Sequence, residues 1–117
     1  MADIELFEVD IWVEVAAKGR VLYFYPSAVA SRTGLPVQKV FDRLIQLVDV
    51  GYLVVEWEVR CDNYNCPEVL SLSKEPPIGK YFYCEYCDEE IECTPDNTFP
   101  RFSFCPGYKE MIKKKVV

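Results

Sequence analysis

A chain of 117 residues, half of them apolar and 27% charged, is long enough for one compact unit with a core of its own and too short for several large ones. No apolar run approaches the length of a membrane span, so no membrane-crossing helix is expected. The net charge of −6 is unevenly spread: residues 61–105 hold nine acids against three cations, which disfavours a polyanionic partner for that half, whereas residues 20–60 are close to neutral.

In chain order, residues 4–18 fit two periods. Leu6, Val9, Val13, Ala16 and Ala17 form a helical stripe, with Glu14 and Lys18 spaced as an i,i+4 pair and Gly19 as a stop; Phe7, Val9, Ile11, Val13 and Val15 also alternate. Helix is the preferred reading. Arg20 to Tyr25 then reads as a strand ended by Pro26. Ser27 is a candidate N-cap for a short helix through Thr33, Gly34 offers a left-handed exit, and Pro36 opens a second helix where its missing N–H costs nothing. Val37, Val40, Phe41, Leu44, Leu47 and Val48 recur in that helix at steps of three and four until Gly51. The pair is a helix-turn-helix, with small Ala30 where the helices touch. After Gly51 the period becomes two: Leu53, Val55, Trp57, Val59 and Cys61 face one way, to bury with Val40, Phe41, Leu44 and Leu47, while Glu56, Glu58 and Arg60 face water.

There are six cysteines and no histidine. Cys61 and Cys66 have four residues between them, Cys84 and Cys87 have two, and seventeen separate the pairs. Two close pairs of soft ligands joined by a hairpin-length spacer are what a tetrahedral metal knuckle needs, so Cys61, Cys66, Cys84 and Cys87 are the expected ligands of one structural zinc ion. A disulfide framework requires an oxidising compartment, and the opening Met1-Ala2-Asp3-Ile4-Glu5 carries no secretory pattern; a cytoplasmic setting is expected instead. A redox dithiol at Cys84/Cys87 is opposed by Glu85, Asp88, Glu89, Glu90 and Glu92, which disfavour thiolate. Cys93 and Cys105 remain for core packing.

The order helix, short strand, helix, turn, helix, strand resembles a winged helix-turn-helix over residues 4–60, on the pattern Val29-Ala30-Ser31-Arg32-Thr33-Gly34-Leu35-Pro36 through Leu44, Leu47 and Gly51-Tyr52-Leu53. The chain from Cys61 onward is similar to zinc-ribbon modules: a knuckle at 61–66, the strand Tyr81-Phe82-Tyr83, a knuckle at 84–87 and a final hairpin through Ile91 and Phe102 to Phe104. The first knuckle is longer than the usual two-residue spacing, and Asp88 stands where many ribbons have glycine. The expected organisation is therefore α+β, with a winged helix-turn-helix at 1–60, a zinc ribbon at 61–106 and a basic tail at 107–117. Modules of this combination occur in prokaryotic and archaeal regulators and conflict-system proteins, which implies non-enzymatic work; fold alone names no partner.

Double-stranded DNA is the alternative partner. Its candidate contacts are Ser31, Arg32, Gln38, Lys39 and Arg43, with Asp42 and Gln46 on the same face. Three cations are a thin electrostatic footprint, and Glu56 and Glu58 stand where a DNA-binding wing offers Lys or Arg. A protein partner is the preferred expectation. The aromatic residues Tyr81, Phe82, Tyr83, Tyr86, Phe99, Phe102 and Phe104 are expected to form the ribbon's own small core rather than a stacking platform. The run Asp88-Glu89-Glu90-Ile91-Glu92 has no base or nucleophile beside it and is expected to face water rather than catalyse.

Overall fold

Helix α1 (Ile4–Lys18) realises the helical reading of the first ambiguous stretch, with Val9, Val13, Ala16 and Ala17 buried along one face. The structure is a computed structural model and describes residues 4–114. Strand β1 (Tyr23–Phe24) follows, then helices α2 (Pro26–Thr33) and α3 (Val37–Asp49), strands β2 (Leu53–Arg60), β3 (Val69–Ser73), β4 (Tyr81–Cys84), β5 (Glu89–Glu92) and β6 (Thr98–Phe104), and helix α4 (Pro106–Lys114). The class is α+β. Two antiparallel sheets run in the orders β1-β6-β2-β3 and β4-β5.

The chain divides into two compact units, residues 1–55 with 102–117, and residues 56–101. In the first unit the core is Val9, Val13, Ala17, Phe24, Val29, Val40, Leu44, Leu47, Leu53, Phe102, Tyr108 and Ile112. Each fully buried aliphatic side chain there contributes about 1.5–3 kcal/mol relative to exposure, which is why α3 needs no side-chain cap to hold its register. Gly34 exits α2 at φ 75° and donates its N–H to the Ala30 carbonyl (2.9 Å); Gly51, at φ 88°, closes α3. Both glycines sit in the left-handed region that their turns require.

Several local expectations are corrected. Tyr25, not Ser27, is the N-cap of α2, because Pro26 with its fixed φ takes the first helical position. The strand expected over 20–25 is only two residues long, Tyr23 pairing with Ser103 and Phe24 with Phe102. Residues 107–114 of the expected basic tail are helical, anchored by buried Tyr108 and Ile112; its last three residues lie outside the described residues. The expected final hairpin does not form: β5 turns back on β4, and β6 pairs with β1 in the other sheet.

The second unit contains two hairpins whose tips are the two cysteine knuckles. Strands β2 and β3 are joined by the loop holding Cys61 and Cys66; β4 and β5 are joined by the turn holding Cys84 and Cys87. Glu58, expected to face water from a wing, is only 4% exposed and accepts a hydrogen bond from Arg60 Nε at 2.6 Å. Glu56 is half-buried and within 3.6 Å of Arg101. Strict alternation fails here because Glu58 and Val59 are both buried and the register slips between Val59 and Arg60. Trp57 also belongs to this unit and not to the core around α3.

Candidate metal centre

The site is built by the two knuckles. Cys61 follows the end of β2, and its N–H donates to the Glu68 carbonyl at 3.0 Å, closing the loop neck. The Cys66 N–H donates to the Asn63 carbonyl at 3.1 Å, a turn that places Asn65 at φ 61°. In the second knuckle the Asp88 N–H donates to the Cys84 carbonyl at 2.7 Å, and Asp88 itself sits at φ 57°. Asp88 therefore takes a left-handed conformation, the kind glycine enters freely, and aspartate, like asparagine, enters it at lower cost than other side chains. Asp88 also accepts a hydrogen bond from the Tyr83 hydroxyl, which raises the tyrosine's pKa above its ordinary value. Asn63 Nδ2 donates to Glu89 Oε2 at 3.0 Å and ties one knuckle to the other.

All four sulfurs lie within 4.8 Å of one another and could hold a metal ion. Cys61 and Cys87 are 3.8 Å apart at sulfur, and Cys66 and Cys84 3.6 Å. Four thiolates at about 2.3 Å from a central dication form a tetrahedron with edges of about 3.8 Å, so the donor set and its spacing fit such an ion. Cys61 and Cys84 are buried and Cys66 and Cys87 half-buried, and Ile91 and Leu70 pack beside them. No cysteine is in a disulfide.

The thiols influence each other's ionisation. Burial pushes Cys66 up to about 12, with the neighbouring sulfurs adding to the rise and the backbone at Glu68 opposing it. Cys61 is raised for the same first reason. At Cys84 burial also acts upward, but hydrogen bonds from the Cys87 backbone and the surrounding thiols outweigh it, and the net shift is downward. A cluster of this kind shares protons until a cation replaces them, which makes metal uptake proton-releasing.

The two remaining cysteines take no part. Cys93 is buried with its sulfur 3.1 Å from Thr98 Oγ1, and Cys105 packs against the core of the first unit. The aromatic expectation is corrected: Tyr81, Tyr83 and Tyr86 are exposed, Phe102 belongs to the first unit's core with Phe104 packed against it, and the guanidinium of Arg60 lies 4.2 Å from the Phe99 ring centre. Tyr64, in the first knuckle, is 93% exposed. Asp88, Glu89, Glu90 and Glu92 face water, as their adjacency implied, and Glu85 is exposed as well.

The candidate DNA contacts lie on α2 and α3. Ser31, Arg32 and Gln38 are exposed, and Gln38 donates to Asp42 at 2.9 Å. Arg43 is held by Asp10 through two bonds of 2.8 and 2.7 Å and also donates to Gln46. The Asp10 carboxylate raises the pKa of the Arg43 guanidinium above its ordinary value. Lys39 pairs with Glu5. Sequence reasoning had no signal for these pairings, because their partners lie 33 and 34 residues away. Comparison with family models, curated proteins and solved structures finds no match for the chain. No helix among the described residues is long and apolar enough to cross a membrane.

Proposed function

We propose that this chain is a zinc-stabilised, non-enzymatic adaptor or regulatory module that binds a protein partner in the cytoplasm, built as a winged helix-turn-helix joined to a zinc ribbon. Four thiolates in a tetrahedron are a donor set that suits zinc, and a site with four protein ligands leaves no open position for substrate or water; bound there, it would supply structural cross-linking only. Free thiols on all six cysteines suit a reducing compartment. The helix pair α2–α3, with its Gly34 turn and the strand β2 after it, supports the winged-helix reading.

One observation carries the choice of partner: around the metal knuckles, Tyr64, Tyr81, Tyr83 and Tyr86 are all exposed among carboxylates. Tyrosine is enriched at protein interfaces, whereas a field of acids repels phosphate. The engagement of Arg43 with Asp10 and of Lys39 with Glu5 adds to this, since two of the three cations offered to a duplex are already paired within the fold. The buried Glu58 no longer counts against DNA; the paired cations do.

The test is a comparison of two partners. Zinc-loaded protein should bind random duplex DNA no tighter than about 10⁻⁴–10⁻⁶ M at physiological salt. Used as bait in extract from its native host, it should retain a protein that the Tyr83→Ser/Tyr86→Ser double variant loses. A tight, salt-weakened duplex complex that falls on Arg32→Ala or Gln38→Ala would instead establish the alternative, a DNA-binding regulator; Arg43 is a poor choice for that test because its loss also removes the tie to α1.

A further inference from the structure

Helix α1 carries apolar side chains on two opposite sides, separated by Glu8 on one flank and by Asp10 and Glu14 on the other. Val9, Val13, Ala16 and Ala17 face the core, and on the opposite side Phe7, Ile11 and Val15, each four residues from the next, are 61%, 45% and 64% exposed. At 3.6 residues per turn these three form one continuous stripe. Large apolar side chains exposed in a row, rather than singly, mark an interaction surface. Beside the stripe runs a groove of about 530 Å³ lined by Trp12, Val15, Ala16, Gly19, Val21 and Arg32. It continues past Glu8, Ile11 and Thr33.

The charges on the rim of the groove identify the occupant. Glu8 of α1 and Arg32 of α2 stand on the same flank of the stripe, are both exposed, and are in no ion pair among the described residues. An opposite pair on one flank is self-complementary under a two-fold axis perpendicular to the helix. Such an axis through Ile11 runs the two copies of α1 antiparallel, sets Phe7 against Val15 of the second copy and Ile11 against itself, and brings like flanks together. Glu8 then faces Arg32 of the second copy, and Arg32 faces its Glu8. An isologous contact repeats every interaction twice. We infer that the exposed stripe of α1 and its groove are a homodimer interface, with a second copy of this chain as the occupant. This goes beyond the adaptor reading and does not depend on it.

Sedimentation equilibrium of the full zinc-loaded chain over the micromolar range tests the inference, with circular dichroism as a control for folding. The wild type is expected to dimerise, and Ile11→Glu, at a position that is exposed in one copy, to leave a folded monomer. Glu8→Arg and Arg32→Glu should each weaken the dimer roughly tenfold, because each change acts at both symmetric pairs and replaces attraction by repulsion. The double variant carrying both reversals should recover wild-type association. A wild-type chain that stays monomeric would overturn the inference, as would a dimer that survives Ile11→Glu or a double reversal no better than either single one.

Discussion

At the scale of single residues, the two left-handed positions beside the cysteines set the knuckle geometry. Asp88 at φ 57° tolerates its conformation because aspartate is short and polar. A β-branched side chain there would meet the following carbonyl, so Asp88→Val should destabilise the second unit by about 1–2 kcal/mol, while Asp88→Gly should be close to neutral. Urea midpoints of the metal-loaded variants check this; equal midpoints for valine and glycine would mean that backbone strain at 88 is unimportant. The same residues show what could be read beforehand. Cysteine spacing alone identified the four sulfurs that the fold brings together, because ligand geometry restricts spacing directly. Glu58 was misplaced because alternation assumes one wet face, and at Glu58–Val59 both consecutive side chains are buried. The clamp of Arg43 by Asp10 was invisible because it joins distant segments.

At the scale of elements, helix α4 shows how a segment read as a charged tail becomes part of a core. Lys109, Lys113 and Lys114 dominated its composition, yet Tyr108 and Ile112 at a four-residue step form a buried face. Tyr108 stacks on Tyr52 with ring centres 4.7 Å apart. Burial first, then the charges of Glu14 and Asp10, push its phenol up to about 12. The neutral form is therefore favoured by folding: the stabilisation is complete below the ordinary tyrosine value of about 10 and is lost as pH rises through about 12. Wild-type protein should lose more stability than Tyr108→Phe over that alkaline window, measured as the fall in urea midpoint. Parallel falls in the two proteins would show that Tyr108 ionises as freely folded as unfolded. Helix α3 was legible because its apolar period is long and unbroken, and the ends of α2 and α3 because a glycine follows each. Strand β3 and the partners of β5 and β6 were not legible, since short strands carry no address for the strand they pair with.

At the scale of the whole chain, the two units differ in what holds them. The first has its own apolar core spread over α1, β1, α2, α3, β2, β6 and α4. The second has Cys61, Cys84 and Ile91 as its buried cluster, with Cys66, Leu70 and Cys87 beside them, so four of those six residues are the proposed ligands. Removing the ion would leave sulfurs in place of a core. Chelator should accordingly collapse amide protection in 56–101 while the helical amides of α1 and α3 stay protected, at reduced stability because β2 and β6 run through both units. Loss of protection in both units together would mean a single cooperative fold.

The central claim, a structural zinc ion on four cysteines, is tested most directly by the metal content of the purified chain and of Cys84→Ser, measured by mass spectrometry of the acid-digested protein. Cys93 faces Thr98, and among the described residues no fifth thiol belongs to the sulfur cluster. About one zinc per wild-type chain and a large loss in Cys84→Ser are expected. A wild-type chain free of zinc, or a variant that keeps its full complement, would contradict the claim.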